Sequence, residues 1–433
     1  MKVHIVGAGP TGMSLAWEIL RSGDHEITIY DRKTSAGGSW WEPTEEIRDL
    51  HAHRIVFDKA FVNTQSLFND MGINWDDIFE PSHQRRRAYG YVLRSLSLKD
   101  YGTLTSLAAR VLTKPKKYRG ISLKDALGPL SDGGRKIVEH LPLIMDGVTW
   151  DVMSAWEFVK SFDHVALSKQ YTQKVSGKVM CDAMQQALED VGVEFEFEKE
   201  LVNVDYMEDG YTADFADRTK IGDGMLFLCL DNSPAFKLLG DNWGPDAEKK
   251  VRDSTYGAIN ILFDFDQPVE LKTDLEIVTN TKLKLQPVVL SDDKTISCVI
   301  CNLTEDILTM PPEELRTLVL GELDVPLPRE IRFGWGSEWD GKRWQFSQSS
   351  GVLSLYGQLP FFGECPNVAM CGMMSPRNTP YSSIEASVEV SRALSHKCFG
   401  TREPMNPLLL TQVVSVTILV LIVLILIYRN RNT

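Results

Sequence analysis

Residues 2–31 read KVHIVGAGPTGMSLAWEILRSGDHEITIYD, and this stretch decides the fold. KVHIV is a short apolar run of strand character, GAGPTG a glycine loop, MSLAWEILRSG a helical pattern and EITIYD a second apolar run. Strand, loop, helix and strand in that order make a βαβ crossover, whose strands pair in parallel. The loop carries G-x-G-x-x-G as Gly7, Gly9 and Gly12. The first permits a tight turn, the second lets bare backbone approach a pyrophosphate, and the third lets helix pack closely on sheet. Ala8, Pro10 and Thr11 complete the loop, and the helix start offers free N–H groups and a positive dipole end to phosphates. Asp31, nineteen residues beyond Gly12 at the end of the second strand, is placed for ribose hydroxyls. An acid there disfavours a ribose 2′-phosphate, although the adjacent Arg32 leaves NADP open.

Six residues after Asp31 the chain reads GGSWW, with Gly37 and Gly38 followed by Ser39 and Trp40. A glycine fingerprint, an acid and a glycine doublet at this spacing resemble the opening of the flavin-containing amine oxidase clan. That clan includes monoamine and polyamine oxidases, protoporphyrinogen oxidase and phytoene-desaturase-like enzymes. The resemblance recurs at ELVNVDY (200–206), placing Leu201 on the strand that faces adenine, and at MLFLCLDNSPAFKLL (225–239). It closes at NVAMCGMMSPRNTPYSSIEASVEVSRAL (367–394), similar to the last FAD-binding strand and helix, with Gly372, Met373, Ser383 and Ile384 beside the flavin. The resemblance implies FAD, held noncovalently because no SGGC-like attachment motif is present.

Three positions depart from the clan pattern. Ser39 stands where an arginine follows the doublet, Met373 and Met374 follow Gly372 in place of an acid, and Ser383 occupies the position of a cage tyrosine, with Tyr381 two residues earlier. Arg32, Trp40 and Arg377 are candidates to replace the lost contacts.

The fold class expected is α/β, a Rossmann-like GR2-type FAD-binding domain with an interleaved α+β substrate domain and a C-terminal transmembrane helix. The FAD-binding domain is assigned to 1–60, 171–257 and 364–400, and the substrate domain to 61–170 and 258–363. A linker at 401–407 leads to a membrane anchor at 408–428. The function that follows is a membrane-anchored FAD-dependent oxidoreductase passing hydride from a small organic substrate to flavin N5, with catalytic residues unassigned. A flavin-dependent, non-oxidative mutase and a catalytically decayed, membrane-tethered scaffold remain as alternatives.

The anchor is read from the tail. Residues 408–428 carry no charge, and from Val413 the chain reads VVSVTILVLIVLILIY before Arg429 and Arg431. As a helix this run is about 30 Å long, the thickness of a bilayer core. The chain opens directly on a strand, with no secretory leader pattern, so the bulk of the protein is expected in the cytosol.

Net charge is −13 over 433 residues, which argues against nucleic acid. Between residues 81 and 120, however, ten Lys and Arg face the single acid Asp100. That block is a solvated face, a surface for anionic lipid or a contact for an anionic partner. Seven scattered cysteines do not form a disulfide framework, and Cys298 and Cys301 lie in TISCVIC, a strand pattern without a second CxxC to complete a zinc site. No metal site is expected. His51 and His53, the tryptophans Trp335, Trp339 and Trp344, and Lys282 and Lys284 read as structural or surface residues before they read as site residues.

Overall fold

The computed structural model describes residues 1–42, 55–82, 84–207, 210–253, 255–272, 274–290, 292–334, 336–346, 348–350 and 357–431. His51, His53, Arg54 and Trp335 lie outside the described residues, as do the side chains of Arg85, Arg86 and Arg87.

The opening strand Lys2–Val6 is the centre of a five-stranded sheet. Its order is Val368–Met370, Met225–Leu228, Lys2–Val6, Glu26–Tyr30 and Glu194–Glu196, and every neighbouring pair is parallel. Strands buried on both faces need continuous apolar character, and Val3, Ile5, Val6, Leu226, Phe227, Leu228, Val368 and Ala369 supply it at 3 % exposure or less. Parallel pairing also forces long crossovers, and these bring residues 2–30, 194–228 and 368–370 into one sheet.

Helix Pro10–Leu20 packs on this sheet and crosses helix Ile384–Phe399. A buried ion pair pins the crossing: Arg392 Nε donates to Glu18 at 2.8 Å, both side chains fully enclosed. Arg402 donates to the same carboxylate at 2.6 Å and reaches Asp70 at 2.6 Å. Asn63 exchanges hydrogen bonds with the backbone of Met405, at 2.8 Å in each direction. Residues 402–405 are thus strapped onto the body.

A second layer lies outside the parallel sheet. It contains a four-stranded antiparallel sheet in the order Gln286–Val289, Thr295–Ile300, Ile259–Asp264 and Glu330–Phe333. Beside it stand the helices Leu98–Thr113, Asp132–Asp146 and Ala155–Val165. Cys298 is buried in its strand and all seven cysteines are free, in keeping with the strand reading of the CxxC. Trp344 is buried against Phe333 and Trp339 in the core of this layer.

The chain ends in helix Leu410–Arg431. Among the described residues no helix is long and apolar enough to cross a membrane, so the anchor expected at 408–428 gains no support there. Side chains at 419 and 422–431 lie outside the described ones. Of those described, Val413, Val414, Val416, Ile418, Val420 and Leu421 are all exposed.

Candidate active site

The glycine loop and the glycine doublet meet backbone to backbone. A Cβ placed on Gly9 would stand 3.3 Å from the Cα of Gly38, and one on Gly38 would stand 2.7 Å from the Cα of Gly9. Gly38 has a positive φ of 56°, which L side chains adopt at a cost. The Gly37 amide donates to the Ala8 carbonyl at 2.9 Å, holding the two segments in register. Asp31 sits below them. Its carboxylate accepts from the Ala8 amide at 2.8 Å and from the Lys33 amide at 2.9 Å. Lys33 Nζ in turn donates to the Gly38 carbonyl at 3.0 Å. The acid read as a ribose ligand therefore also braces the loop that would face the pyrophosphate.

A cavity of about 1720 Å³ opens from this loop. Of the cofactor residues expected from sequence, Gly7, Gly9, Pro10, Thr11, Asp31, Arg32, Gly38, Ser39, Trp40, Leu201, Gly372, Met373, Ser383 and Ile384 line it. Ala8, Gly12 and Gly37 do not line it and serve the loop from behind. A Cβ on Gly12 would fall 2.0 Å from the Gly7 carbonyl oxygen, the close helix-on-sheet packing assigned to that glycine. Of the three candidates for replacing lost contacts, Arg32 and Trp40 line the cavity and Arg377 does not. The Arg377 guanidinium is spent on the carbonyls of Met373, Thr379 and Tyr381, shaping the loop before helix Ile384–Phe399. Lys282, Lys284, Trp339 and Trp344 lie away from the cavity.

The cavity continues past the cofactor residues into an apolar chamber whose walls include Leu104, Leu107, Leu141, Ile144 and Val159. Phe61 and Tyr381 also line it, stacked side by side with ring centroids 6.2 Å apart. The Tyr381 hydroxyl pairs with His164 Nδ1 at 2.8 Å, and burial pushes the imidazole down to about 4, so this pair is neutral. The lining also includes Leu410 and Thr411, the first turn of the terminal helix. There Asp163 accepts from the Thr411 amide at 2.9 Å and from its hydroxyl at 3.0 Å.

Several of these residues have no signature in the sequence. Asp146 and His164 carry no motif, and Glu385 stands where the resemblance to the amine oxidase clan puts a glutamate, with nothing in the sequence to show its burial. Glu385 is nearly fully buried at the start of helix Ile384–Phe399. It accepts four hydrogen bonds, from the amide and side chain of Asn63 and of Thr64, at 2.7–2.9 Å. Burial pushes its carboxyl up to about 7, against the pull of those four donors.

A parallel sheet, a glycine-rich loop at the end of its first strand and a large cavity define a dinucleotide-binding fold. Residues 5–61 match the NAD(P)-binding Rossmann-like domain, and no curated protein matches the chain by sequence. Among solved structures, the chain is similar to putrescine oxidase bound to putrescine, with 13% identity, a TM-score of 0.64, and 92% of this chain and 99% of that one covered. A protoporphyrinogen oxidase-like protein from Exiguobacterium sp. 255-15 gives 14% identity, a TM-score of 0.62 and coverages of 92% and 98%. An oxidoreductase from Methanosarcina mazei gives 13%, 0.61, 91% and 100%. The chain has the fold of the flavin amine oxidase and protoporphyrinogen oxidase clan.

Proposed function

We propose that this protein is an FAD-dependent oxidoreductase acting on a small organic substrate, with FAD bound noncovalently. The observation that carries the reading is convergence: fourteen of the expected cofactor residues, spread from Gly7 to Ile384, line one cavity that runs on into an apolar chamber. The site also fits the cofactor sterically, because the contact of Gly9 with Gly38 leaves a bare backbone edge where a pyrophosphate needs one. FAD, when bound, supplies the hydride acceptor. The chain's own residues do the rest. The loop at Gly7–Gly12 and the start of helix Pro10–Leu20 would hold the phosphates, the start of helix Ile384–Phe399 would favour negative charge on the reduced ring, and the apolar walls would exclude water. In this reading the flavin domain comprises 1–60, 171–257 and 364–400, and the substrate domain 61–170 and 258–363.

The reading includes a membrane anchor at 408–428, with the bulk of the protein in the cytosol. Its support is an uncharged run of 21 residues, a helix of 22 residues across it, and exposed apolar side chains along its first half. The strap at Arg402 and Met405 and the Asp163 contact to Thr411 would fix the body close to the bilayer. Toward anionic lipid we place Lys99 next to Leu98, which is 91% exposed, at one end of helix Leu98–Thr113, and Arg110, Lys114, Lys116 and Lys117, all exposed, at the other.

The test is the visible spectrum of the full-length protein purified in detergent. Oxidised flavin bands that leave with the supernatant after acid precipitation are the expected result. A colourless, folded protein that takes up no FAD overturns the reading and favours the decayed scaffold. Flavin without substrate-dependent bleaching under anaerobic conditions favours the mutase.

A further inference from the structure

The cysteines that share a motif and the cysteines that share a place are different ones. Cys298 and Cys301 form the C-x-x-C of the sequence, yet they lie on opposite faces of their sheet. Cys298 packs with Ile296 and Ile300, and Cys301 with Ala258 and Val299, as the alternation of side chains along a strand requires.

Cys229 and Cys371 share no motif and lie side by side. The neighbouring parallel strands Met225–Leu228 and Val368–Met370 pair Phe227 with Ala369 and Leu228 with Met370. The ladder runs one residue further, where the Cys371 amide donates to the Leu228 carbonyl at 3.0 Å. That register sets Cys229 opposite Cys371. Both turn to the face that carries Phe227 and Ala369, and the two thiols hydrogen-bond each other. Residues opposite each other on neighbouring strands stand about 4.8 Å apart, inside the Cα separation that a disulfide spans. Cys371 is fully buried, whereas Cys229 is half-buried and lines the cavity. A reagent therefore reaches the pair through Cys229.

Cys229 also supports the glycine loop. Its amide donates to the Val6 carbonyl at 2.8 Å, and a Cβ on Gly7 would stand only 2.3 Å from its carbonyl oxygen. On the other strand Cys371 is followed by Gly372, which lines the cavity. A disulfide draws its Cβ atoms to about 3.8 Å, closer than neighbouring strands hold them. Closing one here shifts the Cys229 backbone against the Gly7 contact, which has no slack.

We propose that Cys229 and Cys371 are an oxidation site, in which a low-molecular-weight disulfide entering the cavity joins them and thereby loosens the hold of the glycine loop on its dinucleotide. The Cys229 thiol gives up its proton and its sulfur attacks the reagent RSSR, forming a mixed disulfide and releasing one RSH. The Cys371 sulfur, losing its own proton, then attacks the Cys229 sulfur and expels the second RSH. Two protein thiols are oxidised and one reagent disulfide is reduced. Burial raises the Cys229 thiol above its ordinary value and keeps it protonated, so closure is slow. The effect on the cofactor rests on the FAD reading above, and the thiol chemistry does not.

The experiment treats the full-length protein in detergent with dithiodipyridine, a small disulfide, blocks the remaining thiols with a maleimide and maps the digested chain by mass spectrometry. The expected result is a peptide pair joined through Cys229 and Cys371, an FAD dissociation constant raised at least about tenfold, and reversal of both by dithiothreitol. Cys229→Ser should form no link, and its FAD affinity should not respond to the reagent. Should that variant fail to fold, Cys371→Ala serves, in which the reaction should stop at the mixed disulfide on Cys229. The proposal is overturned by wild-type Cys229 that carries the pyridylthio group without linking to Cys371, or that stays unmodified while it reacts in the unfolded chain. A link that leaves FAD affinity unchanged, or an FAD loss that persists in Cys229→Ser, overturns it equally. A link formed in a protein that takes up no FAD even before treatment would uphold the thiol pair and sink the oxidoreductase reading instead.

Discussion

Gly9 and Gly38, twenty-nine positions apart in the chain, touch through bare backbone. A Cβ on either would crowd the other's Cα, at 3.3 Å from Gly9 and 2.7 Å from Gly38. The glycine loop and the doublet are one structure, a two-stranded cradle braced by Asp31 and Lys33.

Gly9→Val should fill that cradle. The expected outcome is a folded protein that has lost most of its FAD, measured as the ratio of absorbance near 450 nm to that at 280 nm, with the rough band position that of free oxidised flavin. Gly38→Ala should lose FAD to a smaller extent and also lower the melting temperature, since its positive φ strains any side chain. Stoichiometric FAD in Gly9→Val would show that the cofactor lies elsewhere.

Glu18 is the counter-ion of Arg392 and Arg402 at once. Glu18→Gln leaves a fully buried guanidinium without its charge partner, and the expected loss is about 3–5 kcal/mol by denaturant unfolding. The strap at residues 402–405 should loosen with it, read as faster proteolytic cleavage between residues 400 and 410. A variant as stable as the wild type would mean that the pair breaks even against its desolvation cost.

His164 sets a pH dependence. Its folded-state value is about 4 against 6.5 in the unfolded chain, so as pH falls the unfolded state takes the proton first. The contribution is complete above pH 6.5 and is lost progressively between 6.5 and 4, to a total of about 3 kcal/mol. His164→Gln, which can still meet the Tyr381 hydroxyl, should flatten the stability profile in that window. An unchanged slope between pH 4 and 6.5 would remove His164 as its cause.

Asp163 caps the terminal helix through Thr411. Asp163→Ala should cost about 1 kcal/mol of cap stabilisation and expose the 405–411 segment to protease, while leaving the protein in the membrane pellet after carbonate extraction. Only removal of residues 408–433 should release it. Release of the single-site variant would place membrane attachment in the Asp163 contact and not in the helix.

The parallel sheet and the glycine cradle were legible because each rests on local chemistry. A glycine is needed where backbones meet, an apolar run where a strand is buried, and a fixed spacing where a crossover returns. The uncharged run at 408–428 is legible in the same way, as a composition that excludes water, although the described part of its helix does not by itself reach the length and apolarity of a membrane span.

Asp146, Glu157 and His164 were not legible, and Glu385 was legible only as the match to a clan glutamate and not as a buried acid, because nothing beside these residues in the chain shows that they are buried. Asp146 meets Ser382 across 236 positions, and Glu385 meets Asn63 across 322. Their charge states follow from desolvation and from partners that only the packed chain supplies. The sequence determined that a dinucleotide site would be built and from which segments. The tertiary structure decided what faces it: a neutral Tyr381–His164 pair, apolar walls and the buried carboxyls of Asp146 and Glu157 side by side, because burial and long-range contact set the energy of a charge far more than its neighbours in the chain do.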